Sequence, residues 1–347
     1  MRGKYITANS KLSNNYIDNC TFVRTVLMMS VVLGHSVNFW KGNWFTKVEP
    51  AFNSSILVVI SDLVNSFHIY AFVLVSGYIY AYLRIQKGKY LDFVPFVWNK
   101  IKRLIIPFIF TCIIWVGPIG CYFNNYSLQE CLNNYILGIS PNQLWFLLML
   151  FWCFVFAWPL SKLFKNYSIL SLLIVAVFYV GGIVGSRFLS NYYSIWTGCE
   201  YLLYFWLGFQ IFNYKKIVIS ISVYVWVISF FASFILDYMF IFCSLITSLL
   251  QAMIHILGAL MAFFVLQKIA SKISWKNSKS FMALAKTSMA IYLFHQQIIY
   301  FTILFLNGKV NPYVHAFVNF IVAMMASYGL SCVLMRFKIT RFLIGEK

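Results

Sequence analysis

Runs of about twenty apolar residues, separated by short basic stretches, recur along the whole chain, and they constrain its fold more than any other feature. Read as helices that cross a bilayer, they fall near residues 20–40, 63–83, 101–119, 143–163, 168–186, 198–213, 217–236, 241–266, 281–306 and 313–335. The composition excludes a soluble domain: 62% of residues are hydrophobic and 10% are charged, whereas soluble domains carry about a quarter charged residues. The expected fold is all-α, a polytopic membrane helix bundle of about ten transmembrane helices. It forms a single membrane domain over 1–347, with a polar cytoplasmic segment at 1–19. That segment does not read as a cleaved secretory leader, because Lys4 and Lys11 are scattered among Asn and Ser and no small-residue cleavage site follows the first apolar run.

The formal charge of +19 raises the question of nucleic acid, but a nucleic-acid binder gathers its cations on one soluble face. Here they occupy loops between apolar runs, so no nucleic-acid partner is expected. With ten spans both termini share one side. The N-terminus, the loops at 84–103, 162–165, 215–216 and 268–286, and the C-terminus together hold 22 of the 27 Lys and Arg residues. The opposite loops hold Lys41, Lys47, Arg187 and Lys309, and Arg24 lies inside the first span. The positive-inside rule then places both termini in the cytoplasm of a multi-pass protein of the cell (plasma or inner) membrane.

Eight cysteines are present without any CxxC pair, and most fall within spans, where a small buried hydrophobe is the plain reading. Cys121 and Cys131 share one outward loop, and an oxidising compartment would let them pair. No ligand spacing points to a metal. The loops are too short for a soluble catalytic domain, so any chemistry belongs to residues in or beside the spans.

The first such residues lie in VRTVLMMSVVLGHSVNFW (23–40). Arg24 and His35 are eleven residues apart, a rotation of about 1100°, so they share one helix face about 16 Å apart along the axis. Each has an ordinary reading, a snorkelling cation and a packed histidine. Two ionisable groups on one stripe of a span nevertheless suggest a polar pathway, since each costs about 2.5–3.5 kcal/mol to insert. In SFHIYAFVLVSGYIYAYL (66–83), Ser76 and Gly77 interrupt a helix that begins with His68; close helix approach is the alternative there. Lys100, Lys102 and Arg103 stand at the mouth of the next span as topology anchors or as a phosphate-binding cluster. Trp145 lies in QLWFLLMLF (143–151), Glu200 in EYLLYFWLGF (200–209), and Tyr292 and His295 in SMAIYLFHQ (288–296). Taken singly, these read as a belt tryptophan, an outer-loop acid and a buried imidazole.

In order and on matching spans, these residues resemble the acyltransferase-3 integral membrane acyltransferases. The likeness covers most of the chain: an arginine and a histidine on the first helix (Arg24, His35); a Phe-His…Ser-Gly-Tyr helix (Phe67, His68, Ser76, Gly77, Tyr78); a basic pair followed by proline (Lys100, Arg103, Pro107); an LWFL helix start (Leu144 to Leu147); and a late Ser…Tyr…His (Ser288, Tyr292, His295). Two positions depart from the pattern. The Met-Pro that follows Phe-His in the family is absent from Ile69, Tyr70 and Ala71, and the acid often just before the arginine is displaced to Asp18.

The resemblance implies an acyl-CoA donor, acetyl-CoA or another acyl-CoA, from the cytoplasm, with no metal. The resemblance also implies that the acceptor is a hydroxyl of a surface glycan or lipid-linked saccharide at the outer or membrane face, and the expected activity is that of an O-acetyltransferase of polysaccharide-modifying type, embedded in membrane lipids. The phosphates of the donor suit Lys100, Lys102, Arg103 and Arg24, and its thin pantetheine arm suits a gap beside Ser76 and Gly77. A neutral imidazole suits removal of a hydroxyl proton at neutral pH, which makes His35 the expected general base and Arg24, on the same helix face, the other expected catalytic residue, with direct attack and an acyl-enzyme both open. His68, Trp145, Tyr292 and His295 are expected on the acceptor side or in support. The rival reading is a transporter or flippase for a glycan or lipid-linked saccharide. Such proteins often carry repeated halves and mid-membrane carboxylates, whereas this chain shows no repeat and Asp62, Glu200 and Asp237 can all be set at outer span ends. A glycan polymerase is weakened by the lack of a large external loop.

Overall fold

The computed structural model describes residues 2–42, 44, 45, 47–239 and 244–346, with the side chains of 2–15, 244 and 245 left aside. The first residues of the span expected at 241–266, the side chains of Lys4 and Lys11, and Lys347 lie outside the described residues. Among those described there is no strand. The helices are α1 (Arg2–Val37), α2 (Ser55–Asn65), α3 (His68–Ala81), α4 (Phe93–Lys100), α5 (Ile106–Thr111), α6 (Gly117–Asn124), α7 (Leu128–Cys131), α8 (Trp145–Asn166), α9 (Ser168–Phe188), α10 (Ile195–Asn213), α11 (Lys215–Ser220), α12 (Val223–Met239), α13 (Ser244–Lys272), α14 (Lys279–Leu306), α15 (Pro312–Leu334) and α16 (Lys338–Leu343).

The chain is a polytopic helix bundle. Among the described residues eight helical stretches are long and apolar enough to cross a membrane: Tyr16–Lys41, Ser55–Gln86, Phe93–Asn124, Asn142–Asn166, Ser168–Phe188, Ile246–Lys272, Lys279–Leu306 and Pro312–Leu334. Ten spans were expected, and the two that fall short are α10 and α12. The 17 described residues of α12 rise about 26 Å, less than a hydrocarbon core of about 30 Å. The 19 residues of α10 include Glu200, Gln210 and several tyrosines and tryptophans, which lower its hydropathy. Two boundaries also differ from expectation. Helix α1 starts at Arg2 rather than near residue 20, and α2 occupies part of what reads as the 41–62 loop.

The third stretch, Phe93–Asn124, is not uniformly α-helical. Five-residue π turns at Ile101–Ile105 and Cys112–Val116 interrupt it, and each lies just ahead of a proline, Pro107 or Pro118. A proline has no N–H for the carbonyl four residues back, and its ring crowds that carbonyl. Widening the preceding turn relieves the crowding. The first π turn carries Lys102 and Arg103, so its extra width changes the direction in which these cations leave the helix.

The helices form two compact units. The first gathers residues up to Met28, Asn65–Lys89 and Tyr204–Lys286. Within it α13 packs against both α3 and α12. Gly77 of α3 and Gly208 of α10 let two backbones meet: a Cβ on Gly77 would lie 1.9 Å from the Phe205 carbonyl oxygen, and one on Gly208 would lie 1.9 Å from that of Leu74. Only residues without a side chain permit such an approach, the usual device of helix packing in lipid. Tyr78 packs its ring on Phe212 and Phe263, and Phe22 packs with Ala270 and Trp275.

The second unit gathers Met29–Val64, Tyr90–Leu203 and Thr287–Lys347. Here α8 packs on α9 and on the first π turn. Helix α7 opens with a capping box, in which the Ser127 hydroxyl accepts from the Glu130 N–H while the Glu130 carboxylate accepts from the Ser127 N–H at 2.7 Å. These bonds hold the Glu130 carboxyl below its usual range. Cys131, at the end of α7, forms a disulfide with Cys121, so the two cysteines of that loop do pair.

The Gly77 contact yields a test. Replacing Gly77 by Val is expected to cost about 1–3 kcal/mol, the usual cost of overpacking, seen as a lower thermal midpoint of the detergent-purified protein. An unchanged midpoint would show that α3 and α10 are not held at this distance.

Candidate active site

The middle of α14 reads YLFHQQ (292–297), three polar residues in a row within an apolar helix. In lipid such groups must find partners inside the protein, and the second unit supplies them. Gln297 and Gln143 exchange amide hydrogen bonds: Gln143 Nε2 donates to Gln297 Oε1 at 2.9 Å, and Gln297 Nε2 donates to Gln143 Oε1 at 3.1 Å. Gln143 Nε2 also donates to the Leu293 carbonyl at 2.9 Å, and the Tyr292 hydroxyl donates to the Gln143 carbonyl. Gln296 Nε2 donates to the Tyr300 hydroxyl, and Trp115 Nε1 donates to the Phe294 carbonyl at 3.2 Å. The start of α8 and the middle of α14 are thereby fixed to one another.

His295 sits inside this belt with no exposed surface. Its Nδ1 is 2.8 Å from the Tyr292 carbonyl and 3.2 Å from that of Ile291, and its Nε2 is 2.8 Å from His35 Nδ1. The two imidazoles are nearly parallel, 16° apart, with ring centres separated by 4.9 Å. Unlike His295, His35 is only half-buried. Its ring lies 5.6 Å from that of Trp44, also half-buried, which meets Tyr300 edge-on at 5.1 Å. Phe45 stacks on the other side of this cluster, against Tyr300 at 4.5 Å. The result is an imidazole held from behind by a second imidazole and bordered by aromatic faces.

The remaining expected site residues fall in several places. Trp145 and Tyr292 belong to the second unit, Trp145 edge-on to Tyr201 at 5.6 Å and Tyr292 against Phe146. Lys100 directs its ammonium at the Phe154 ring, 3.5 Å from its centre, with Tyr90 and Phe96 within 5.4 Å. Lys102 lies over Trp98 at 5.3 Å, and Arg103 is exposed. In the first unit Arg24 is exposed with its guanidinium 5.9 Å above the Phe72 ring, and His68 is buried in the first turn of α3. Ser76 is half-buried and donates to the Phe72 carbonyl at 2.9 Å. The Cβ position of Gly77 is taken by the Phe205 backbone. Helix α1 is unbroken between Arg24 and His35, so their eleven-residue spacing is a helical one. Displaced Asp18 pairs with Lys276 at 3.1 Å, and Tyr70, where the Phe-His pattern departs, stacks on His255 at 4.0 Å.

Sequence reasoning passed over Gln143, Gln297, Tyr300 and Trp44. The first stands in QLWF beside a more conspicuous tryptophan, and Gln297 directly follows His295 and Gln296. A run of amides in an apolar helix was the available signal. Nothing local in the sequence could bring Trp44 to His35.

A family model described as an acyltransferase domain, that of the acyltransferase-3 family, matches residues 14–336. No curated protein and no solved structure matches the chain.

The amide pair makes a distinctive prediction. Gln143→Leu takes the amide partner from Gln297, and Gln297→Leu leaves the Gln143 amide with only its bond to the Leu293 carbonyl; each is expected to cost about 1–3 kcal/mol. The double variant removes both amides, so it should be more stable than the sum of the two losses implies. Thermal melts of the four proteins measure this, and additive losses would deny the pair.

Proposed function

The chain belongs to the acyltransferase-3 family and is a membrane acyltransferase, and we propose that it moves an acetyl group from cytoplasmic acyl-CoA to a hydroxyl of a cell-surface glycan. The observation that carries this reading is the half-buried His35 imidazole, backed by buried His295 and bordered by Trp44. An imidazole near neutrality accepts a hydroxyl proton as the oxygen attacks a thioester carbonyl. The carbon–sulfur bond then breaks, and CoA leaves as its thiol once it has taken the proton back. Aromatic faces beside such a base suit the apolar C–H faces of a sugar ring while leaving its hydroxyls directed at the imidazole.

The donor is an anion at its nucleotide end, and cations with accessible heads suit it. Of the three expected at the mouth of the third span, Lys102 and Arg103 meet this description, and Arg24 does so in the first unit. Lys100, enclosed by three aromatic rings, suits holding its helix against α8. Gly77 suits packing, and the Ser76 hydroxyl bonds the Phe72 carbonyl of its own helix. Both termini are assigned to the cytoplasm from the distribution of Lys and Arg, which also puts the Cys121–Cys131 disulfide on the oxidising side of a plasma or inner membrane. The transporter reading calls for unpaired mid-membrane carboxylates, and Asp62 is ion-paired with Lys41 at 2.5 Å.

Two variants test the assignment in membranes. His35→Ala should lower acetyl transfer by about 10³-fold or more at normal protein levels, read as loss of the acetyl methyl signal in proton NMR of the surface polysaccharide. Retained transfer would remove His35 from the mechanism. Arg103→Gln should raise the KM for acyl-CoA about tenfold with kcat little changed, whereas Lys100→Gln should lower the yield of folded protein instead.

A further inference from the structure

The hydrogen bonds around His295 fix where protons sit on both imidazoles. A carbonyl oxygen can only accept, so the nitrogen that faces the Tyr292 and Ile291 carbonyls, Nδ1 of His295, carries a proton. A neutral imidazole has one N–H, and Nε2 of His295 is therefore a lone-pair acceptor. His35 Nδ1, 2.8 Å away, must donate to it. The single proton of neutral His35 is thus placed on Nδ1, and its lone pair lies on Nε2. One turn of α14 dictates, through two rings, which nitrogen of His35 is basic.

We infer that His295 is the positioning residue of the acyl transfer: by accepting the Nδ1 proton of His35 it keeps the reactive tautomer and orients the ring. The inference rests on the reading of His35 as general base. In the reaction His35 Nε2 takes the proton of the acceptor hydroxyl while the oxygen forms its bond to the acyl carbon. The imidazolium keeps its Nδ1 proton shared with His295, and Nε2 then returns its proton to the departing CoA sulfur. Every proton is accounted for without another reactant. The arrangement serves the purpose of the base-orienting acid in hydrolytic triads, where the wrong tautomer costs about 10⁴-fold in kcat. Here the orienting group is neutral, and backbone carbonyls set it.

Three substitutions at one position separate this role from packing. Glutamine places its amide oxygen near the position of imidazole Nε2, so His295→Gln should retain kcat to within about tenfold. Asparagine reaches only the Nδ1 position and can bond the Tyr292 carbonyl but not His35. His295→Asn and the ring-preserving His295→Phe are therefore both expected to lose about 10²-fold or more in kcat, with the KM for acyl-CoA unchanged. Melting curves and yields of each purified variant identify any that fails to fold, and either Asn or Phe suffices beside Gln. Wild-type kcat in a folded Asn or Phe variant overturns the inference, as does a folded Gln variant no better than these two. Activity in His35→Ala would instead overturn the underlying assignment of the base, so the two failures are distinguishable.

Discussion

Hydrocarbon surroundings offer no hydrogen bonds, and the requirement that polar groups be satisfied from within shapes the second unit more than any apolar contact does. The amides and the imidazole of α14 could not be buried without partners except at a cost of several kcal/mol. Besides bonds within α14 itself, partners come from other parts of that unit: Gln143 from the turn before α8, Trp115 from the interrupted third span, His35 from the end of α1. The polar belt therefore specifies which helices adjoin and in what register. Apolar packing alone would tolerate sliding, because lipid and leucine are nearly equivalent solvents for one another.

The first unit solves the problem of association differently, by close backbone approach. Gly77 and Gly208 bring α3 and α10 to distances at which any side chain would collide, and dispersion across that contact replaces the hydrogen bonds used in the second unit. The contrast bears on function. A glycine contact provides rigidity but no titratable group, whereas the imidazole pair provides both a fixed geometry and a site for a proton.

Much of this was legible in the sequence. Apolar run length gave the fold class and most spans, because hydrophobic thickness is a simple physical ruler. The two expected spans that do not reach the same length and hydropathy among the described residues are α10, diluted by Glu200 and aromatic hydroxyls, and α12, described as far as Met239. The π turns before Pro107 and Pro118 were not readable, since proline announces a disturbance but not which way the turn relaxes. Of the candidate residues, His35 and His295 were named for separate reasons, and their 2.8 Å bond joins positions 260 residues apart, a distance that no local pattern encodes. Lys100 shows the opposite case: a cation in a basic cluster looks like its neighbours until the rings of Phe154, Tyr90 and Phe96 are placed around it.

The use of a second imidazole, rather than a carboxylate, to orient the first follows from the setting. The chain has eight acidic residues against 27 basic ones, and Asp18, Asp62 and Glu130 are each engaged by Lys276, Lys41 or Ser127. A carboxylate behind His35 would have to be buried as an ion, with a desolvation cost that a neutral partner only partly offsets. A histidine whose Nδ1 proton is committed to a helix carbonyl presents the same acceptor lone pair with no charge. The carbonyl it uses, that of Tyr292, belongs to the stretch of α14 whose other side chains are already tied to Gln143. The bonds that hold the fold of this unit reach His35 through His295, and on the proposed reading of His35 as base they also set its tautomer.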